Sequence, residues 1–117
     1  MEYLFVNYPK CSTCKKAREW LEDRNLKFID RDIVTDTPTY DELKQWINMS
    51  NKPINKFFNT SGMLYRQMEL SKKLVDMSDD EKIKLLSSNG MLIKRPLLVF
   101  GNKVLTGFRI KEWEEEI

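Results

Sequence analysis

The order of apolar and polar positions predicts a strand, a helix and a second strand at the beginning of the chain. Residues 3–8 form a short, mostly apolar run, as expected of a buried strand. Residues 12–24 repeat apolar side chains at helical spacing, and residues 28–32 supply the second strand. The apolar positions of the helix are Cys14, Ala17, Trp20 and Leu21. Because a helical crossover joins parallel strands, the two strands are predicted to be parallel.

A helical region is predicted to follow this unit. Thr37 or Thr39 caps a helix that runs to about Ser50, with Glu42 in the first turn. Its buried stripe is predicted to comprise Leu43, Trp46 and Ile47. The next segment, residues 53–77, mixes apolar and turn-forming residues, which favours several short helices.

The clearest helix signal in the chain begins at Ser78. Ser78 and Glu81 have the spacing of a capping box, and the pair Asn89-Gly90 is typical of a helix end. Between these signals, apolar side chains recur at Ile83, Leu85 and Leu86. The sequence therefore predicts a helix from Ser78 to the Asn89-Gly90 stop.

Two short runs near the end of the chain predict a β-hairpin. Residues 97–100 and 103–106 are strand-like, and Gly101-Asn102 between them suits a two-residue type II′ turn. An amphipathic helix over residues 110–117 is predicted to close the chain.

Together these elements predict an α/β protein with the order βαβ, helices, ββα. The helical insertion covers approximately residues 39–90 within one domain, residues 1–117. At 117 residues and 14.0 kDa, with 41% hydrophobic residues, such a domain can bury a core without metal or several disulfides.

The charges of the chain are nearly balanced. Lys and Arg number 20 and Asp and Glu 18, so the net charge of +2 predicts neither direct nucleic-acid binding nor membrane binding. The N-terminal residues lack the pattern of a signal peptide, and no apolar run approaches about 18 residues. A cytoplasmic protein is therefore expected. Because the chain has no histidine, Ser/His and Cys/His hydrolytic sites are excluded.

The only two cysteines, Cys11 and Cys14, lie between the first strand and the first helix. A strand that turns and feeds a helix places Cys11 at or near the N-cap, where unpaired N–H groups and the helix dipole favour an anion. A thiolate is such an anion, and Lys10, Lys15 and Lys16 add positive charge nearby. We therefore expect Cys11 to ionise more readily than a free cysteine.

Three interpretations of the cysteine pair are open. Half of a zinc site is one, although structural zinc prefers four Cys or His ligands and this chain has no others. A pair of inert, buried thiols is the second, because free cysteines often serve as small apolar residues. A redox pair is the third, and a CxxC spacing beside a βαβ pattern favours it.

Three segments carry a resemblance to a known family. They are the run YPKCSTCKKA at residues 8–17, the run KRPL at residues 94–97 and the pair Gly107-Phe108. Together they resemble the arsenate reductase-like (ArsC/Spx/YffB) family over the whole chain. Within it, the chain is similar to small uncharacterised Spx/MgsR-like proteins of Gram-positive bacteria. The resemblance implies a thioredoxin-like fold with a mixed central sheet.

The resemblance also implies roles for the residues around the cysteines. Pro96 would be preceded by a cis peptide bond, and Arg95 would point its guanidinium toward the Cys11 sulfur. The substrate or anion would be bound by Lys10, Ser12, Thr13 and Pro96. Without the resemblance, Arg95 could equally be a solvated surface charge.

The expected function is that of a thiol-disulfide oxidoreductase, with Cys11 as nucleophile and Cys14 as resolving thiol. Thioredoxin, glutaredoxin or glutathione would donate the electrons, a protein thiol is a further candidate partner, and no other cofactor is implied. The alternative is an Spx-like, redox-switched transcriptional regulator that binds RNA polymerase. A family member without any redox role is a third interpretation.

Arsenate reduction is expected to be weak or absent. The resemblance implies three arginines that hold the oxyanion, and the matching positions here are Arg95, Asn59 and Gly107. Two of the three cations are therefore missing. Arg66 and Arg109 lie nearby in the sequence and are candidates to replace them.

Overall fold

The computed structural model describes residues 1–117 and begins with the predicted βαβ unit. Strand β1 covers Tyr3–Asn7, helix α1 covers Ser12–Asp23 and strand β2 covers Phe28–Asp32. The two strands are parallel, and their register pairs Tyr3 with Phe28. The prediction of a parallel pair joined by a helix is confirmed.

A run of helices connects β2 to the rest of the sheet, as the sequence predicts. Helix α2 covers Tyr40–Ser50 and helix α5 covers Asp79–Ser88. The short elements of this region are helices α3 (Met63–Gln67) and α4 (Leu70–Lys73) and the 3₁₀ turns Ile54–Phe57, Leu74–Asp76 and Gly90–Leu92. None of the helices is long and apolar enough to cross a membrane.

The hairpin and the closing helix complete the fold. Strand β3 covers Leu97–Phe100, strand β4 covers Lys103–Thr106 and helix α6 covers Ile110–Glu116. The sheet order is β2-β1-β3-β4, with β1 antiparallel to β3. Gly101, in the two-residue loop, has φ +55°, the positive φ that a type II′ turn requires at its first position. The result is a mixed four-stranded sheet in a thioredoxin-like α/β fold.

Alternate residues of the central strands divide the core between the two faces of the sheet. On one face, Val6 and Leu97 pack under the helical insertion, where Leu43 of α2 and Leu86 of α5 are fully buried. On the other face, the sheet contributes Phe5, Leu98, Phe100 and Leu105, while helices α1 and α6 contribute Ala17, Trp20, Leu21 and Trp113. The sheet is therefore the middle of three layers, and the helix that follows the first cysteine is fixed by an aromatic core.

Local signals set the helix ends. Of the two candidate caps for α2, the structure selects Thr39, whose side chain accepts from the Glu42 backbone N–H in a complete capping box. Ser78 and Glu81 form the second capping box at the start of α5. Helix α5 ends before Asn89-Gly90 as predicted, but Gly90 has no positive φ. The glycine is needed there for a different reason, because its α-carbon lies against the Ile33 backbone.

We expect the Arg31–Glu42 ion pair to make stability depend on acid pH. Arg31 Nη1 and Nη2 donate to the two Glu42 carboxylate oxygens at 2.7 and 2.8 Å. This hydrogen bonding lowers the pKa of Glu42 from 4.5 to about 2. The pair therefore stabilises the fold fully above a pH of about 4.5 and less as the pH falls toward about 2.

Glu42→Gln, which keeps an oxygen for the cap, is expected to lower the free energy of unfolding by about 1–2 kcal/mol at neutral pH, after allowance for solvent screening. Urea unfolding at several pH values measures the effect. Glu69→Gln is the matched control, since its 3.9 Å pair with Lys72 is exposed. Equal acid dependence in the wild type and Glu42→Gln proteins would contradict the assignment.

Candidate active site

Cys11 is the N-cap residue of helix α1. Its backbone is extended, with φ −91° and ψ 121°, and its Sγ accepts a hydrogen bond from the Cys14 backbone N–H at 3.4 Å. A turn before the helix, in which Cys11 N donates to Tyr8 O at 3.0 Å, fixes the position. The sulfur therefore lies at the positive end of the helix dipole, as the sequence predicts.

The surroundings of Cys11 favour its thiolate. Partial burial acts to raise its pKa, but hydrogen bonds from the Cys14 backbone and thiol and from Arg95, together with the Arg95 charge, outweigh that effect. The pKa of Cys11 is consequently lowered from its ordinary value. Arg95 is the cation with the largest effect, whereas Lys10, Lys15 and Lys16 are exposed, so that water screens their charges.

Cys14 has the opposite character. Its side chain is 2% exposed and packs at the start of the face that carries Ala17. Burial raises the pKa of Cys14 to about 12, a hydrogen bond from the Tyr8 backbone offsets part of this, and the neighbouring Cys11 raises the pKa further. Two thiols three residues apart thus differ strongly in ionisation. Both are free rather than joined in a disulfide.

Arg95 lies between the cysteine loop and the sheet. Its Nε and Nη1 atoms are buried without a hydrogen-bond partner in the protein, and its Cζ lies 5.0 Å from the centroid of the Tyr8 ring. The following residue, Pro96, is buried, and the Arg95–Pro96 peptide bond is cis, as the resemblance implies. The surroundings of Arg95 therefore differ from those of a solvated surface charge.

Arg95→Met is expected to raise the pKa of Cys11, because it removes a positive charge near the thiolate while keeping a long side chain. Thiolate absorbance in the ultraviolet, followed as a function of pH in the Cys14→Ser background, measures the change. Arg66→Met is the control, because Arg66 is exposed and donates to Ser61 O at 3.4 Å. An unchanged titration in Arg95→Met would return Arg95 to the solvated-charge interpretation.

A cleft of about 830 Å³ opens beside Cys11. Cys11, Thr13 and Arg95, three of the predicted site residues, line it together. Three of the 17 residues that line it are hydrophobic, and the lining comes from the start of α1, from the segment 52–61 and from the residues around the hairpin. The fold thus brings residues that are far apart in the sequence to one side of the cysteine sulfur.

Other predicted residues lie outside this lining. Lys10 and Ser12 are exposed and do not line the cleft, because successive residues at a helix start point in different directions. Pro96 does not line the cleft either, and its backbone carbonyl accepts a hydrogen bond from Gly107 N at 2.8 Å. An anion-binding role for Lys10, Ser12, Thr13 and Pro96 stays a prediction.

The positions of the two missing arginines both line the cleft. Gly107 has φ +74°, and Lys94 Cε lies 3.1 Å from the place that a Cβ on Gly107 would take. The Asn59 side chain, which donates to Met91 O at 3.4 Å, is neutral. Of the candidate replacements, Arg109 lines the cleft and Arg66 does not.

Sequence reasoning missed the lysines of the cleft. Lys52, Lys56 and Lys94 all line it, although Lys52 and Lys56 belong to no motif and Lys94 belongs only to the run KRPL. Lys52 Nζ lies 3.2 Å from a Glu112 carboxylate oxygen and 3.4 Å from Thr106 Oγ1. The one sequence signal for a lysine in the cleft was the position of Lys94 next to Arg95. The arrangement as a whole can hold a thiolate and attract an anionic reactant.

Comparisons with known proteins agree with this geometry. The sequence profile of the ArsC family matches residues 6–116. The uncharacterized protein YusI of Bacillus subtilis is 47% identical over 115 residues, covering 98% of each chain. The regulatory protein MgsR of the same organism is 29% identical over 104 residues, covering 89% of this chain and 81% of MgsR. The crystal structure of an ArsC family related protein from Bacteroides fragilis superposes with a TM-score of 0.95 at 51% identity, covering 98% of this chain and 97% of the other.

Proposed function

The chain belongs to the ArsC family, and from this premise we propose that it is a thiol-disulfide oxidoreductase with Cys11 as nucleophile and Cys14 as resolving thiol. The observation that carries the proposal is the different placement of the two sulfurs, since Cys11 caps α1 and lines the cleft whereas Cys14 is buried. The pKa of the accessible Cys11 is lowered, while the pKa of the buried Cys14 is raised to about 12. A CxxC pair needs this division, since one thiol must attack as a thiolate while the other stays protonated until the mixed disulfide has formed.

The proposed reaction begins when the Cys11 thiolate attacks one sulfur of a substrate disulfide. A new bond forms to Cys11 Sγ, the substrate disulfide bond breaks, and the first thiolate leaves and takes a proton from water. Cys14 then loses its proton and attacks Cys11 Sγ, which forms the Cys11–Cys14 disulfide and releases the second substrate thiol. The substrate gains two electrons, and the cysteine pair loses them.

A second dithiol or two monothiols must then reduce the Cys11–Cys14 disulfide. Thioredoxin, glutaredoxin and glutathione are reductants of this class, and no other cofactor is needed for the cycle. The proposal includes the cytoplasm as the compartment, because thiols are kept reduced there.

The test uses the Cys14→Ser variant, which can form the first mixed disulfide but cannot resolve it. Disulfide-linked partners captured from cell extract should be released by dithiothreitol, and the Cys11→Ser variant is the matched control. Wild-type protein should also turn over a model disulfide when thioredoxin and its reductase regenerate it. No adduct on Cys14→Ser and no turnover in the wild type would rule the proposal out.

A second candidate function is a redox-switched regulatory adaptor that binds RNA polymerase. The similarity to the regulatory protein MgsR favours it. The first turn of α1 also presents exposed Ser12, Thr13, Lys15 and Lys16 beside the reactive cysteine, so that a partner could sense its state. An adaptor would co-purify with polymerase subunits in one redox state only, without turnover in the coupled assay.

Arsenate turnover is expected to be slower than that of a dedicated arsenate reductase by roughly 10² to 10⁴-fold. The neutral Asn59 and Gly107 at the two matching positions remove charge-assisted hydrogen bonds worth about 1.5–3 kcal/mol each. A glutaredoxin- or thioredoxin-coupled assay with arsenate measures the rate. A rate equal to that of a dedicated reductase would show that other cations of the cleft hold the oxyanion at the sulfur.

A further inference from the structure

The distribution of charge in the cleft differs from that of the whole chain. The chain has a net charge of only +2, whereas the cleft is lined by five basic side chains and one carboxylate. The basic residues are Lys52, Lys56, Lys94, Arg95 and Arg109, and the carboxylate is Glu112. Lys52 is already paired with Glu112 at 3.2 Å. The remaining cations line the cleft without a salt bridge to any carboxylate of the protein.

These cations have different relations to the reactive sulfur. Arg95 acts on Cys11 more strongly than any other cation. The Lys94 side chain lies over Gly107, and its Nζ is 4.0 Å from the place that a Cβ on Gly107 would take. Arg109 follows Gly107 by two residues and lines the same wall. Lys94 and Arg109 are thus two cations of the cleft without a salt bridge, in addition to the guanidinium that acts on Cys11.

Gly107 keeps this wall open for Lys94. Any side chain at residue 107 would press on Lys94 Cε at 3.1 Å, and φ +74° already favours glycine. The backbone of the wall is fixed, since Gly107 N donates to Pro96 O at 2.8 Å and Lys94 N donates to Phe57 O at 2.7 Å. The backbone from which Lys94 extends and the backbone beneath its side chain are therefore both held in place.

We infer that Lys94 and Arg109 bind a carboxylate of the substrate, which is a disulfide of a carboxylate-bearing thiol. This inference rests on the proposed thiol-disulfide function and adds the substrate class to it. The cleft, at about 830 Å³, is large enough for a compound that reaches from Cys11 to a separate charged group, whereas a small oxyanion would fill little of it. Lys94 and Arg109 are positioning residues in this scheme, because they hold the substrate while Cys11 reacts.

The test compares two disulfides that differ in charge. 5,5′-Dithiobis(2-nitrobenzoate) carries two carboxylates, and 4,4′-dithiodipyridine carries none. Each is reacted with reduced wild-type, Lys94→Gln and Arg109→Gln proteins, and with Lys72→Gln as a control outside the cleft that removes the same charge from an exposed side chain. The ratio of each variant rate to the wild-type rate cancels the intrinsic reactivity of the probe.

Lys94→Gln and Arg109→Gln are each expected to slow the anionic probe roughly 3- to 10-fold, with less than about a 2-fold change for the neutral probe and for Lys72→Gln. Added salt should slow the anionic probe alone. Equal effects on both probes, or no effect of either variant on the anionic probe, would overturn the inference.

One further measurement separates the inference from the proposed function. In the Cys11→Ser variant, nuclear magnetic resonance titration with the monothiol 5-thio-2-nitrobenzoate should shift the amide of Gly107, and Lys94→Gln should abolish the shift. Absence of the shift in Cys11→Ser contradicts the carboxylate site. If Cys11 reacted with neither disulfide, the proposed function would fail while the titration still decided the binding site.

A carboxylate-bearing thiol can be a small metabolite or a cysteine in an acidic peptide. 3,3′-Dithiodipropionate and a peptide disulfide with flanking glutamates distinguish the two sources. The probe whose reaction rate falls in Lys94→Gln identifies the source. A lower rate with either probe supports the carboxylate site. Independence of both from Lys94 and from Arg109 overturns it.

Discussion

Iodoacetamide at a pH of about 6.5 is expected to label Cys11 at least 100-fold faster than Cys14 in the folded, reduced protein. The pKa of Cys14 is raised to about 12 and that of Cys11 is lowered from 9.0, so their thiolate fractions differ by more than roughly 10³-fold. A more acidic thiol is also a weaker nucleophile, which reduces this rate advantage of Cys11 by a factor of roughly 10^1.5. Cys14 is only 2% exposed, and this burial slows its labelling further, because the reagent cannot reach a buried sulfur.

Fragment-ion mass spectrometry of the labelled protein assigns the adduct to one cysteine or the other. The control is the same reaction in denaturant, where the two thiols should react at similar rates. Faster labelling of Cys14 in the folded protein would exchange the proposed roles, and equal labelling would mean that the helix start does not separate the two thiols.

Replacement of Gly90 by alanine is expected to destabilise the fold by about 3 kcal/mol or more, which is at the upper end of the range for overpacked cores. A Cβ at this position would overlap the Ile33 carbonyl oxygen and lie 2.7 Å from the Ile33 carbonyl carbon. The obstacle is the backbone of Ile33, a fully buried residue directly after β2, so no side-chain rotation can relieve it.

Gly101→Ala is the matched control, because it makes the same chemical change in the hairpin loop. The nearest atom to its new Cβ is the flexible Met1 side chain at 3.7 Å, and the remaining cost is that of φ +55°, about 1–2 kcal/mol. Urea unfolding of both variants measures the difference. A loss for Gly90→Ala no larger than that for Gly101→Ala would show that the segment after α5 can move away from Ile33.

Features encoded over a few residues were predictable from the sequence. The apolar run of β1, the capping boxes at Thr39 and Ser78, and the two-residue loop at Gly101 each depend on neighbours along the chain. These local rules, together with the handedness of a βαβ unit, predict the parallel β1–β2 pair and the β3–β4 hairpin, whereas the resemblance implied the mixed sheet that joins them. The position of Cys11 as helix N-cap follows from the same kind of local reasoning.

Features that depend on tertiary proximity were not predictable. Asn89-Gly90 has the composition of an ordinary helix stop, and only the packing of Gly90 against Ile33 shows why glycine is required. Lys94 reads as a surface lysine until the hairpin brings Gly107 beneath it. The cleft joins segments some 40 residues apart, and no periodicity or propensity reports which side chains will share such a space.

The sulfur of Cys11 caps helix α1 and is also the reactive atom of the proposed cycle. In the reduced protein, its negative charge lies on the Cys14 amide and the end of the helix dipole, an interaction of about 0.3–1 kcal/mol. We expect oxidation to the proposed Cys11–Cys14 disulfide to remove that charge and to loosen the first turn, so that its amide protons exchange with solvent more quickly. The other end of α1 remains anchored through Trp20 and Trp113. In the proposed cycle, the redox state of the Cys11 sulfur thereby changes the local stability of the first turn of α1.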